Sequence, residues 1–176
     1  VYHEISRFKQ EEKLPVLAQL MSTATSGAYY IAMTADEVVA NRTTVTGSIG
    51  VILLSVNFTG LMDKLGIENQ TFTSSSFKDA GSPLRPMTPA ERTQLQSVVD
   101  GLYQRFVDVV AAGRPALAPD EVKRLADGRI YSADQALQTG LVDALGTLDD
   151  SVERLRRRLG SESVRVVSYH RRREWR

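Results

Sequence analysis

Ser26 stands where a nucleophile could be built. The segment Ser22-Thr-Ala-Thr-Ser26-Gly27-Ala28-Tyr29-Tyr30 brings a serine to the junction of an apolar run and a helical stretch, among residues small enough for a ligand to approach the backbone. At a helix N-terminus its hydroxyl would feel the positive end of the macrodipole, and the Gly27 N–H would be free to donate to a developing oxyanion. A helix N-cap is the competing role for Ser26, because serine is common there. Gly-x-Ser-x-Gly is absent, so the elbow motif of the α/β-hydrolases is not indicated.

A serine nucleophile needs a base, and the supply is short. The chain has no cysteine and two histidines, His3 and His170, at its opposite ends, so thiol chemistry is excluded and a Ser-His-Asp triad would rest on terminal residues. Five lysines occur. Lys9, Lys13, Lys64 and Lys123 sit in charged helical contexts that suit solvated side chains. Lys78 differs, in the small-residue loop Ser74-Ser-Ser-Phe77-Lys78-Asp79-Ala80-Gly81-Ser82-Pro83. A desolvated lysine there could serve as a neutral general base, and a surface lysine paired with Asp79 is the alternative.

These residues need a scaffold, and the chain of 176 residues, 42% hydrophobic with a formal charge of +1, suits one globular domain and carries no field that would select nucleic acid. An apolar run over Pro15–Met21 and the stretches Glu37–Ala40, Ser48–Val56, Glu68–Thr73 and Val164–Val167 predict strands, with a small-residue loop over 22–25. Helices are expected from Tyr2 through Lys9, from Ser26 to about Ala35, over 120–126, 132–139 and 147–159, and from Thr88 to about Ala112. The longest opens with Thr88-Pro89-Ala90-Glu91, a capping box with proline at the first position. Strands alternating with helices predict an α/β domain with a largely parallel sheet. The start resembles the end of a truncated helix, which implies that an upstream part precedes Val1. Arg154 and Arg156–Arg158, with Arg171–Arg173 and Arg176, predict a solvated basic end. The triplets at Asn41, Asn57 and Asn69 match the glycosylation pattern by coincidence.

Ser26-Gly-Ala-Tyr-Tyr30, Val39-Ala-Asn41, Thr46-Gly-Ser-Ile-Gly-Val51, Phe77-Lys-Asp-Ala-Gly-Ser-Pro83, Met87-Thr-Pro-Ala-Glu-Arg92, Gly128-Arg-Ile-Tyr131 and Ala136-Leu-Gln-Thr-Gly-Leu-Val-Asp143 follow one another in this order. As an ordered set, from about Pro15 to Leu155, the chain resembles the bacterial signal peptide peptidase A (SppA) family. The resemblance implies a Clp-protease/crotonase-like α/β fold and a Ser-Lys serine peptidase. Ser26 would be the nucleophile and Lys78 the general base, with Ser48 orienting the lysine amine and Gly27 donating to the oxyanion. No cofactor and no metal are implied. The implied substrates are cleaved signal peptides and other short apolar or unfolded peptides. The implied assembly is a homo-oligomer with the dyad shared between neighbouring subunits, held at the bacterial cell envelope by an upstream anchor.

Ala28 stands where the family often has a second glycine, and Ser75-Ser76 replaces a pair containing glycine. No segment matches the family's Ser-Pro-Gly-Gly, source of a second oxyanion donor. The resemblance implies one peptidase domain over residues 1–176, the C-terminal majority of the family domain, with 170–176 as a basic tail. Two alternatives carry different expectations: a catalytically incomplete oligomerisation fragment, and a crotonase-like acyl-CoA enzyme in which the Ser/Lys pair would be idle.

Overall fold

The computed structural model describes residues 1–169, so His170, Arg171–Arg173 and Arg176 of the basic tail lie outside the described residues. The chain divides into two compact units, one formed by Val1–Ile49 with the residues from Val109 onward, the other by Gly50–Asp108.

The first unit is α/β. Helix α1 (Tyr2–Glu12) ends on Lys13 in left-handed backbone and leads into β1 (Leu17–Leu20), β2 (Thr23–Thr25), α2 (Gly27–Ala32), β3 (Glu37–Ala40) and β4 (Val45–Gly47). Strand β1 pairs in parallel with β3, and β3 with β6 (Ala144–Leu145); β2 pairs in parallel with β4, which pairs antiparallel with β5 (Ile130–Ser132). Among the described residues there are thus two three-stranded sheets, and three of their four pairings are parallel.

Val38, Val39 and Ala40 are fully buried, with Leu141 and Val142 in the same core, as expected for parallel strands covered on both faces. Gln19 links strand exits: its amide nitrogen donates to Asn41 Oδ1 and the Gly146 carbonyl, both at 3.1 Å, and its oxygen accepts from Ser151 Oγ. Ser151 lies on α7 (Leu148–Arg158), which starts with a Thr147–Asp150 capping box.

In the second unit, α3 (Thr59–Leu65) closes on Gly66 in left-handed backbone, and α4 (Pro89–Gly113) begins before running into the first unit's residues. The capping box at Thr88 forms as the sequence predicts: Thr88 N–H and Oγ1 both donate to Glu91 Oε2, at 2.8 and 3.0 Å, and Glu91 N–H returns to Thr88 Oγ1 at 3.2 Å. Helices α5 (Pro119–Leu125) and α6 (Ala133–Gln138) complete the first unit.

Several sequence expectations are corrected. Thr23–Thr25 is a strand rather than a loop, because its threonines suit extended backbone and β4 offers a partner, with Thr46 Oγ1 also donating to Ala24 O at 2.7 Å. Ser48–Val56, Glu68–Thr73 and Val164–Val167 are not strands: none belongs to a sheet among the described residues, the first keeping only the bonds of Ser48 and Ile49 to residues 128–129, and extended runs need a ladder partner for their N–H and C=O groups. No residue from Val51 through Ala90 is buried. No described helix is long and apolar enough to cross a membrane.

Candidate active site

Two serines follow the paired ends of adjacent strands. Strands β2 and β4 end their parallel register at the pair Thr25–Gly47, and Ser26 and Ser48 are the next residues on each strand. Both hold positive φ, 52° for Ser26 and 50° for Ser48, which a side chain with a Cβ rarely adopts. The backbone keeps them there: Ser26 N–H donates to Gly47 O and Ser48 N–H to Arg129 O, each at 2.8 Å.

Ser26 occupies the N-cap position of α2 with φ 52° and ψ −118°, and its side chain caps nothing. Its exposed hydroxyl has no hydrogen-bond partner among the described residues, which removes the ordinary reason for a serine at a helix start. A serine in strained backbone at a strand-to-helix turn is the geometry that α/β-hydrolases build with Gly-x-Ser-x-Gly. Here the sharp turn forms without that motif. Gly27 opens α2 with open space where a side chain would project, and its N–H donates to no described acceptor.

The helix behind the serine is anchored from below. Tyr29 is fully buried and donates its hydroxyl to Leu141 O at 2.7 Å, and burial pushes its ionisation well above the usual phenol range. Nearby, Arg114 Nη1 donates to Asp143 Oδ1 at 2.8 Å, and Asp143 Oδ2 accepts from Val38 N–H at 2.7 Å. Packing is therefore the role of Tyr29.

Gly47 is forced by its surroundings as much as by its φ of 82°. A Cβ there would lie 2.5 Å from Tyr131 Cδ2 and 3.0 Å from Arg129 O. Asp127, Gly128 and Arg129 frame the same edge: Asp127 Oδ1 accepts from Arg129 N–H at 3.1 Å, and Gly128 N–H donates to Ile49 O at 3.1 Å. Sequence reasoning assigned no role to this trio. The Asp-Gly-Arg turn was the available signal, because aspartate bonds backbone two residues on and glycine supplies the positive φ of 87°.

Lys78 belongs to the second unit and Ser26 and Ser48 to the first. Lys78 is exposed, and its amine forms no ion pair or hydrogen bond among the described residues. Pairing with Asp79, the alternative raised by the sequence, does not occur. Asp79 is instead gripped by Arg85, whose Nε reaches Oδ2 at 2.8 Å and whose Nη2 reaches Oδ1 at 2.7 Å. The Arg85 guanidinium first of all holds the Asp79 carboxyl below its usual range.

Arg85 also contacts Glu91, with Nη1 to Oε2 at 3.0 Å. Glu91 is 2% exposed and is held from 4.5 down to about 2, first by Arg85 and then by the Thr88 N–H. In the same unit, Arg85, Ser82, Pro86, Leu95 and Val99 help line a cleft of about 520 Å³.

A free serine hydroxyl at a strained strand-to-helix turn is the local geometry of a hydrolase nucleophile. The chain belongs to peptidase family S49, whose family model matches residues 8–162. It is 39% identical over 166 residues to a protein of Enterococcus faecium named as signal peptide peptidase SppA, covering 94% of this chain and 48% of that protein. It is 33% identical over 142 residues to the chloroplastic serine protease SPPA of Arabidopsis thaliana, covering 80% of this chain and 21% of that one. The chain thus spans about half the length of the Enterococcus relative. Among solved structures, a variant of the 1510-N membrane-bound stomatin-specific protease superposes with a TM-score of 0.49 at 12% identity, covering 86% of this chain and 60% of that chain.

Proposed function

We propose that this chain supplies the Ser-Lys dyad of a serine endopeptidase acting on cleaved signal peptides and other short apolar or unfolded peptides. The observation that carries the reading is Ser26, strained at the end of β2 with an unpaired hydroxyl, in a member of a peptidase family. Ser26 Oγ attacks the scissile carbonyl while the neutral Lys78 amine takes its proton, and the Gly27 N–H donates to the oxyanion. Ser48 orients the amine. Lys78 then protonates the leaving nitrogen and activates the water that releases the acyl group. Arginine would not replace it, because a guanidinium keeps its proton.

The working form is a homo-oligomer in which serine and lysine come from neighbouring subunits, anchored at the cell envelope through a segment upstream of these residues. Supporting an assembly, Ile52, Leu54 and Phe72 are 83%, 82% and 98% exposed, within a stretch that buries no residue in the single chain. Solvent-exposed apolar surface of this kind marks interaction sites.

The test is hydrolysis of a fluorogenic apolar peptide by the full-length protein. Ser26→Ala and Lys78→Ala should each abolish it, and mixed oligomers of the two variants should recover part of it. Activity surviving either substitution would overturn the dyad. Verified mixed oligomers without recovery would place both residues of each site in one subunit. Intact wild-type oligomers that hydrolyse nothing would favour an assembly role.

A further inference from the structure

Lys78 and Asp79 are neighbours of opposite charge, and an exposed lysine beside a carboxylate ordinarily shares it. The second unit prevents this. Both Asp79 oxygens are engaged by Arg85 in a two-pronged contact, at 2.8 and 2.7 Å, a geometry that a planar guanidinium matches and an ammonium does not. The backbone turns with it: Ser82 N–H donates to Asp79 O at 2.9 Å, and Gly81 holds φ 80°. Arg85 is fixed in turn by Glu91, which the capping box of α4 holds in place.

Asp79 stays ionised in this arrangement, with its charge turned onto Arg85. A carboxylate within about 4–6 Å favours the protonated form of an amine, by about one pH unit or more. A general base needs the opposite. The charged groups facing Asp79 are Arg85 and, from α4, Glu91, and no charged group forms an ion pair with Lys78 among the described residues.

We propose that Arg85 is a positioning residue for Lys78: by binding both oxygens of Asp79 it draws that carboxylate away from the amine and leaves Lys78 free to accept a proton. The inference rests on Lys78 being the base. Its own failure and the failure of that reading give different results.

The experiment measures kcat/KM for the fluorogenic apolar peptide against pH in full-length wild type, Arg85→Gln and the Arg85→Gln/Asp79→Asn double variant, with thermal melts confirming folding. Arg85→Gln should move the acidic limb of the profile about one pH unit upward and lower activity below the limb about tenfold. The double variant should return the limb to its wild-type position, which lost packing alone would not do. A limb unmoved in Arg85→Gln, or moved but not returned by Asp79→Asn, overturns the proposal. Should Arg85→Gln fail to fold, Arg85→Lys keeps the charge without the two-pronged grip; a smaller upward shift, returned by Asp79→Asn, supports the proposal, and an unmoved limb overturns it. Full hydrolysis by Lys78→Ala would instead remove the base assignment itself.

Discussion

At the scale of single residues, the strain at Ser26 is open to measurement apart from catalysis. A non-glycine residue with φ 52° and ψ −118° stores conformational energy that glycine does not. Ser26→Gly and Ser26→Ala both lack the hydroxyl, so their difference isolates the backbone. Ser26→Gly should be the more stable by about 1 kcal/mol in denaturant titrations, and equal midpoints would mean that the turn is relaxed. Gly47 predicts the reverse. Its Cβ would lie 2.5 Å from Tyr131 Cδ2, so Gly47→Ala should cost about 1–3 kcal/mol, read from the same titrations. The sequence showed Ser26 as a small-residue turn, but that its hydroxyl caps nothing depended on φ and ψ, which no local pattern encodes. Arg85 was illegible for a related reason. Its two carboxylates are each six residues away, so loop geometry rather than helical spacing brings them together.

At the scale of elements, start signals were the most readable features. Thr88-Pro89-Ala90-Glu91 predicted the opening of α4, and Glu37–Ala40 predicted β3 residue for residue, because capping and continuous apolar burial are written locally. Short strands were not. Val45–Gly47 lies between Thr23–Thr25 and Ile130–Ser132, and Ile130–Ser132 is a strand because it meets Val45–Gly47, a fact held jointly by distant segments. Glu91 makes the start of α4 sensitive to acid. Its folded-state value, about 2, lies below the ordinary 4.5, so its stabilisation is full above about 4.5 and is lost as pH falls toward 2. Helical circular dichroism followed through that window should fall in wild type, and Glu91→Gln should lose most of this pH dependence while starting from a lower thermal midpoint. An unchanged acid transition in Glu91→Gln would assign the loss to other carboxylates, of which Glu153 is also held down to about 2, first by Arg156 and then by Arg157.

At the scale of the whole molecule, the two units differ in how they bury their residues. The first holds Val38, Val39 and Leu141 fully inside, whereas the stretch from Val51 through Ala90 buries nothing. Exchanging Ile52, Leu54 and Phe72 together for serine should therefore reduce the mass measured by light scattering while leaving the melting of the first unit near that of wild type. An unchanged mass would show that these side chains do not hold subunits together. The pairing of β4 with β5 bears on synthesis as well as on structure. It joins Gly47 to Ile130 across about 80 residues, and Ser48 is tied to Arg129 at the same edge. Non-local pairings of this length form slowly, because the intervening chain must be closed before the contact rewards it. As the polypeptide leaves the ribosome, the ledge under Ser26 and Ser48 is incomplete until Tyr131 and Ser132 have emerged. Ser26 is thus translated early and its neighbouring edge is framed late, once the chain beyond Arg129 has been made.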